Sequence, residues 1–312
     1  MLTVLVIIFA GAMLGFTLAR LSYLNYGGNQ SSSYHSGSAP GEWYWFKGGI
    51  YRVGLTIHLA TILPAGLLMI WQFVPVIRHK ALIFHRINGY VIIILVYISN
   101  VSACLIVRRA FGGHIETQAV VGVLAIITTI SITLAYYNIK RLQIDQHRAW
   151  MLRAMFYLGT IITTRIIMII SATVTSTLSR YETTMYCGQI QTIYGGKAQV
   201  VDKFYPQCGL PGATSNTAVV VQGLFPGRPE QIGASFEMSF GMALWMALFL
   251  HAAGVEIYLA LTPREGNRLR QVSYERQMER GFAHPGSAGL TSDRWGDADE
   301  WKPAVKEVAV SA

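Results

Sequence analysis

Charged residues are scarce in this sequence. Only 13% of its 312 residues are charged, whereas 52% are hydrophobic, and a soluble domain carries roughly 25% charged residues. This composition excludes an ordinary soluble globular protein. The formal net charge is +9, but no separate basic module exists, so we expect attraction to anionic membrane lipid and no nucleic-acid partner.

Several enzyme motifs are also missing. The sequence has no G-x-G-x-x-G after a strand, no Walker loop, no H-E-x-x-H and no G-x-S-x-G. Aspartate-rich motifs that bind a prenyl diphosphate through metal ions are absent as well. The chemistries that depend on these motifs are therefore excluded, and we predict no metal site.

What the chain does contain is long apolar runs. A helix needs about 20 residues to cross a hydrocarbon core of about 30 Å, and six stretches qualify: roughly 1–21, 53–77, 87–107, 117–138, 149–175 and 235–261. The sequence therefore predicts an all-α polytopic membrane bundle of about six transmembrane helices. We assign residues 1–262 to this membrane domain, with an outer loop at 176–234, and residues 263–312 to a tail that is helical around 264–281 and then disordered.

The distribution of Lys and Arg predicts the orientation. Most of these residues outside the spans fall on the side that includes the tail, which indicates that both termini are cytosolic. Cys187 and Cys208 then lie in the outer loop, where an oxidising compartment favours a disulfide, and Asn29 begins an outer glycosylation sequon. We expect an integral membrane glycoprotein of the endoplasmic reticulum.

Three ionisable residues fall within spans at a similar predicted depth near the outer side. They are His58 in the second span, Arg165 in the fifth and Glu237 in the sixth. An arginine within a span costs at least about 2.5 kcal/mol unless it faces an interior partner or water, so Arg165 is expected to pair with Glu237 or a ligand. We predict that the three residues share one catalytic pocket.

A second polar group lies at the predicted cytosolic ends of two spans: His85, Arg86, His147, Arg148 and Arg153. A single boundary arginine often only contacts lipid phosphates and fixes topology. His147 and Arg165, however, are 18 residues apart, which is five turns at 3.6 residues per turn, so both would lie on one helix face. We therefore predict that the five residues line the inner end of the pocket and bind substrate.

Two chemistries fit this pattern. In the first, a buried carboxylic acid such as Glu237 keeps its proton in a dry aromatic pocket and protonates the olefin or epoxide of an isoprenoid. In the second, haem b is held between His58 and His114 and again between His85 and His147, with arginines near the propionates. A close arginine lowers a carboxyl pKa, which opposes the first option, and three of the four histidines sit at span ends, which weakens the second.

The ordered set of polar residues resembles a family. A histidine in the second span, H-R-x-x-G-Y at residues 85–90, H-R-x-W-M-x-R at residues 147–153 and an arginine later in the same helix are similar to a polytopic membrane family of unknown function from bacteria and fungi. The similarity covers about residues 50–175. Some fungal members resemble membrane-bound terpene cyclases of meroterpenoid biosynthesis, of the ascochlorin and macrophorin kind.

The resemblance implies a terpene cyclase, an isomerase of secondary metabolism that acts on a prenylated aromatic compound or its epoxide without a cofactor. Its partners would be a lipophilic isoprenoid substrate, membrane lipid and other enzymes of the pathway. The alternatives are a haem b transmembrane oxidoreductase and, third, a non-enzymatic membrane scaffold or transporter component.

Overall fold

A computed structural model of the chain describes residues 2–27, 32–178 and 181–304. The described residues contain six helical segments long and apolar enough to cross a membrane: Ile7–Leu24, Gly49–Gln72, Leu82–Ile106, Ile115–Lys140, Ile144–Leu178 and Pro229–Ala260. The prediction of an all-α polytopic membrane protein is confirmed. Asn29 and residues 305–312 lie outside the described residues.

The helices and strands follow in chain order. The long helices are α1 (Leu2–Arg20), α4 (Gly49–Gln72), α6 (Leu82–Ile106), α7 (Ile115–Lys140), α8 (Ile144–Leu158), α9 (Thr160–Leu178), α12 (Pro229–Ala260) and α13 (Pro263–Glu279). The short ones are α2 (Tyr34–Gly37), α3 (Glu42–Phe46), α5 (Pro75–Lys80), α10 (Cys187–Ile193), α11 (Ala198–Phe204) and α14 (Ser292–Trp295). Two strands, β1 (Glu182–Tyr186) and β2 (Ala218–Gln222), lie between α9 and α12.

The chain forms two compact units. The first comprises Met1–Ala125 and Gly159–Leu248, and the second comprises Ile126–Leu158 and Phe249–Ala312. The candidate site described below lies within the first unit.

Helices α4 and α6 pack as an antiparallel pair in the first unit. The buried residues of α6 recur every three or four positions, which places them on one face: Asn88, Ile92, Val96, Ser99, Ser102 and Ile106. The Asn88 amide donates to the carbonyl of Leu68 over 3.0 Å. Polar contacts of this kind hold helices together in lipid, where hydrophobic association is weak.

A small folded module lies between α9 and α12. Strands β1 and β2 are antiparallel, with Glu182 opposite Gln222 and Tyr186 opposite Ala218, and their alternating buried side chains pack against α10 and α11. A disulfide joins Cys187, at the start of α10, to Cys208. The predicted outer loop therefore contains an ordered module with its own apolar core.

The second unit orders much of the tail. The Gln277 amide on α13 donates to the Gln143 side-chain oxygen over 3.1 Å, and the backbone N–H of Gly286 donates to Gln277 over 2.6 Å. Arg270 and Asp293 form an ion pair at 2.6 Å. The helix expected at 264–281 is α13, and residues 282–304, expected to be disordered, pack against it through these contacts.

Candidate functional site

Glu42 supplies the first buried acid of the candidate site. It opens the short helix α3, and its side chain is buried. Its Oε1 accepts a hydrogen bond of 3.0 Å from the backbone N–H of Phe111. Phe111 lies in the turn after α6, where φ is 47° at Phe111 and 76° at Gly112, so the N–H groups of this turn are not used by a helix and one of them is free for Glu42.

Glu237 on α12 supplies the second acid and approaches the same turn. It is only 4% exposed, and its Oε1 accepts a hydrogen bond of 2.8 Å from the amide of Gln189 on α10. A Cβ atom on Gly112 would lie 3.1 Å from Glu237 Oε2 and 2.9 Å from His114 Nε2. The glycine therefore permits a close approach of the acid, the imidazole and the backbone. The two acids consequently lie close to adjacent residues: Glu42 to Phe111 and Glu237 to Gly112.

Arg165 on α9 adds a positive charge beside two aromatic rings. Its guanidinium lies 4.7 Å from the ring centroid of Phe111 and 5.6 Å from that of Phe240, and the two rings are stacked with centroids 4.1 Å apart. Among the described residues its buried Nε has no hydrogen-bond partner, and no ion pair within 4 Å includes it. The rings attract the Arg165 charge but do not satisfy its Nε–H, so this group can donate a hydrogen bond to a polar ligand.

The electrostatic environment of Glu42 favours its protonated form. Burial and, second, the nearby charge of Glu237 raise the pKa of Glu42 to about 8, although the Phe111 N–H and Arg165 act to lower it. Burial disfavours a carboxylate, and a second carboxylate nearby disfavours it further. Glu42 therefore holds a proton at neutral pH.

Helix α3 carries an aromatic run, Trp43–Phe46, directly after Glu42. Tyr34 and Phe46 are buried in one cluster with Trp43, and the Arg109 guanidinium lies 4.0 Å from the ring centroid of Trp45. Such rings offer apolar contact area and negative π faces. The aromatic residues next to Glu42 are therefore suited to an apolar substrate that reacts through a carbocation.

The three residues predicted to form the catalytic pocket have different partners. Arg165 lies at the Phe111–Phe240 stack, and Glu237 lies close to Gly112, next to Phe111. The acid whose charge acts on Arg165 is Glu42. The His58 Nδ1 lies 2.9 Å from Ser99 Oγ and 3.2 Å from its carbonyl oxygen. His58 thus contributes to the pairing of α4 and α6, and its catalytic role stays a prediction.

The predicted inner group is divided between the two units. His85 and Arg86 belong to the first unit, and His147, Arg148 and Arg153 to the second. The helix expected to carry both His147 and Arg165 on one face ends at Leu158, and α9 begins at Thr160. The chain turns at Gly159, and the common helix face of His147 and Arg165 stays a prediction.

Within the second unit, three predicted substrate contacts have protein partners. His147 Nδ1 lies 2.9 Å from the carbonyl of Ala135, and Arg148 donates to the Tyr258 hydroxyl over 3.2 Å. Arg153 forms two hydrogen bonds, of 2.6 and 2.9 Å, with the carboxylate of Glu256. These contacts hold α8 to α7 and α12, and the substrate-binding role of the five residues stays a prediction.

Sequence reasoning missed Glu42 and Gln189. The sequence does contain a feature that could have identified Glu42. It is the only acidic residue before Glu116, and it directly precedes the aromatic run Trp43–Phe46. Gln189 carries no such signal. Only the folding of the module between α9 and α12 brings its amide to Glu237.

The described residues contain no group of three or more His, Cys, Asp or Glu side chains placed to hold a metal ion. The site instead consists of two carboxyls, one imidazole and one guanidinium next to aromatic rings. Its acid groups are suited to proton transfer, and its aromatic surroundings to an apolar substrate.

Fold and site together define a polytopic helical membrane protein with a buried pair of carboxyls. Residues 55–193 match the model of a family described as "Predicted membrane protein (DUF2306)", which confirms the resemblance to a polytopic membrane family of unknown function. The chain is also 26% identical over 301 residues to "Ava biosynthesis cluster protein G" of Aspergillus versicolor, an alignment that covers 81% of this chain and 86% of that protein. No solved structure matches the chain.

The family match covers only part of the candidate site. The matched segment includes Phe111, Arg165 and Gln189, whereas Glu42 and Glu237 lie outside it. The chain is thus a membrane protein that is similar, along most of its length, to a protein of a fungal biosynthetic cluster.

Proposed function

We propose that this protein is a membrane-bound cyclase of secondary metabolism, in which a pair of buried carboxyls closes the prenyl chain of a lipophilic substrate. The observation that carries the proposal is that Glu42 accepts a hydrogen bond from the Phe111 N–H, while Glu237 lies close to the next residue of the same turn, Gly112. A protonated acid next to a carboxylate is the arrangement that proton-initiated, proton-terminated chemistry requires. Similarity to a biosynthetic-cluster protein supports the metabolic context.

The proposed reaction is an isomerisation of a prenylated aromatic compound that carries a terminal epoxide. Glu42 gives its proton to the epoxide oxygen, the C–O bond breaks, and its electron pair stays on the new hydroxyl group. The carbocation is captured by the alkenes in turn, so that C–C bonds form. The last cation loses a proton from carbon to the Glu237 carboxylate, and return of that proton to Glu42 resets the site.

The remaining residues of the site support the two charges that arise. Arg165 and the Phe111 N–H both favour the Glu42 carboxylate left after proton donation. Tyr34 and Phe46 belong to the buried aromatic cluster at α3, and their ring faces would attract the carbocation. Arg165 thus stabilises the conjugate base, while burial keeps the acid protonated beforehand.

Replacement of Glu237 tests whether Glu42 and Glu237 act together as proton donor and proton acceptor. We expect Glu237→Gln to reduce cyclisation of an epoxidised farnesyl phenol in microsomes by roughly 100-fold, the lower end of the usual contribution of a positioned acid or base, because the terminal proton acceptor is lost while Glu42 remains. The variant also removes the neighbouring charge that raises the pKa of Glu42. The reaction needs protonated Glu42, so its rate falls as the pH rises through the pKa of Glu42, near pH 8. In Glu237→Gln this fall should occur at lower pH, which a pH–rate profile measures.

The matched control is Glu182→Gln, which removes an exposed carboxylate of β1. It is expected to keep the rate and the pH profile of the unmodified protein. A Glu237→Gln profile that coincides with that of the control, at an equal rate, would remove Glu237 from the reaction.

Haem b remains the alternative, and one feature favours it. The His58 Nδ1 faces a backbone carbonyl, an arrangement that usually orients a metal-bound imidazole. The cyclase proposal predicts that protein purified from haem-supplied cells shows no Soret absorption band beyond background. A stoichiometric Soret band that disappears in His58→Ala and in His114→Ala would replace the cyclase by a transmembrane oxidoreductase.

The cellular setting belongs to the same proposal. We place the protein in the endoplasmic reticulum with both termini in the cytosol, which leaves the Asn29 sequon and the module of Cys187 and Cys208 on the lumenal side. A lipophilic substrate then reaches the site from the bilayer, next to the other membrane enzymes of its pathway. A non-enzymatic scaffold or transporter component would show no product with any substrate and stays the third candidate.

A further inference from the structure

A groove of about 440 Å³ lies between α3 and α10 in the first unit. Its lining is aromatic, polar and glycine-rich, and it includes His35, Trp43, Lys47, Gln191, Gly195 and Gly196. The reaction proposed above uses none of these side chains. The groove is therefore a second candidate for a ligand.

The charge of the groove favours an anion. Its lining contains Lys47 and no Asp or Glu. The Lys47 ammonium lies 5.2 Å from the ring centroid of Tyr44, and among the described residues the ion pairs within 4 Å do not include it. An exposed ammonium without a carboxylate partner is available to a bound anion.

The shape of the groove favours a planar ring. The His35 and Trp43 rings pack on one wall with centroids 4.4 Å apart. Gly195 and Gly196 also line the groove; their φ values are +63° and +85°, and a Cβ at either position would meet nothing within 4 Å. This bare stretch of backbone allows a flat molecule to approach closely, and Gln191 and Ser215 bring hydrogen-bonding groups to its edge.

The groove adjoins both the acid site and the expected membrane surface. Trp43 follows Glu42 directly, and Gly188 precedes Gln189. Lys47 lies two residues before α4, a membrane-spanning helix, begins at Gly49. Trp, Tyr and Lys at the end of a span lie at the level of the lipid headgroups, where the polar end of an amphiphile would be found.

We propose that this groove binds the planar, anionic aromatic head of an amphiphilic substrate, while the prenyl chain of the same molecule reaches Glu42 and Glu237. The ring packs against Trp43 and the Gly195–Gly196 backbone, and its carboxylate or phenolate pairs with Lys47. This inference rests on the proposed function for the reaction of the chain, but binding of the head is measurable without turnover.

The test uses the full-length protein in phosphatidylcholine nanodiscs with 2,4-dihydroxybenzoate as the probe. Ligand-observed NMR titration gives its dissociation constant. Because Lys47→Met removes the cation that pairs with the carboxylate of the probe, we expect it to weaken binding by roughly threefold to tenfold, and Gln191→Leu to weaken it by a smaller factor. Lys203→Met, an exposed lysine of α11 outside the lining, should leave binding unchanged.

Two comparison ligands separate the aromatic head from a lipid phosphate. Uncharged resorcinol should bind more weakly than 2,4-dihydroxybenzoate, and inorganic phosphate should not compete with it. Equal binding to unmodified protein and to Lys47→Met would overturn the proposal. Displacement of the probe by phosphate at similar concentration would also overturn it, in favour of a headgroup site.

Glu42→Gln separates this proposal from the cyclase mechanism. The groove proposal expects this variant to bind the probe normally. If Glu42→Gln retains full turnover while Lys47→Met loses probe binding, the acid mechanism fails and the groove stands. If Glu42→Gln loses turnover while Lys47→Met binds the probe normally, the groove fails and the acid mechanism stands.

Discussion

Replacement of Glu42 by Gln is expected to lower the cyclisation rate by roughly 100- to 10,000-fold, which is the usual contribution of a positioned general acid. The Gln side chain keeps an oxygen that can accept the hydrogen bond from the Phe111 N–H and has nearly the same volume, so the turn is retained. What is lost is the proton. Turnover of the epoxidised farnesyl phenol in microsomes with matched protein levels measures the effect.

The unmodified protein should also show the titration of this acid. The pKa of Glu42 is about 8, and the reaction needs its protonated form, so the rate should be highest below pH 8 and should fall as the pH rises through 8. Glu182→Gln should follow the unmodified profile. If Glu42→Gln keeps full activity, and its rate still falls as the pH rises through 8, another group supplies the proton.

The membrane-spanning helices were predictable because their signal is local. A run of about 20 apolar residues identifies a span whatever lies around it, and the six predicted stretches overlap the six spans of the structure. The ends differ where polar residues extend a helix beyond its apolar run. The sixth span, expected from 235, begins at Pro229, and Glu230 in its first turn favours the helix dipole.

The candidate site was only partly predictable, because its contacts are not local. Arg165 and Glu237 stand out as ionisable residues within apolar runs, and the structure brings both close to the turn at Phe111 and Gly112. Glu42 lies in a segment that sequence analysis left without a function. Its place beside Arg165 depends on α3 packing against the turn at Phe111, 69 residues away in the chain.

The contacts of the module between α9 and α12 were also only partly predictable from the sequence. Its cysteines favoured a disulfide from composition and topology, and the structure joins Cys187 to Cys208. The pairing of β1 with β2 fixes where α10 lies, and α10 carries the Gln189 amide that donates to Glu237. No property of Gln189 by itself separates it from an ordinary loop residue.

The structure also bears on whether a nearby arginine prevents a carboxylic acid from donating a proton. A close arginine opposes a readily donated proton when it is the only perturbing group. At Glu42, however, burial and the charge of Glu237 outweigh Arg165, and the pKa is raised to about 8. Arg165 then acts mainly after proton transfer, when the new carboxylate needs a counter-charge.

Arg165→Leu is the second variant for which we expect a large loss. Removing one charge that stabilises a developing anion typically costs roughly 100- to 1,000-fold in rate. Leu still packs against the rings of Phe111 and Phe240, which are stacked on one another without the guanidinium. The protein should therefore fold, and its amount in the membrane and its thermal unfolding should stay close to those of the unmodified chain.

The pH profile distinguishes this role from a merely structural one. Arg165 lowers the pKa of Glu42, so its removal should raise that pKa above about 8, and the high-pH limit of the residual activity should move upward. Glu237→Gln should move the same limit downward, because it removes a negative charge near Glu42 instead of a positive one. Arg165→Lys should recover part of the rate and most of the shift, since Lys keeps the charge and loses only the planar contact with the rings. If Arg165→Leu lowers the rate and leaves the limit in place, the arginine supports the fold of the site and does not act on the acid.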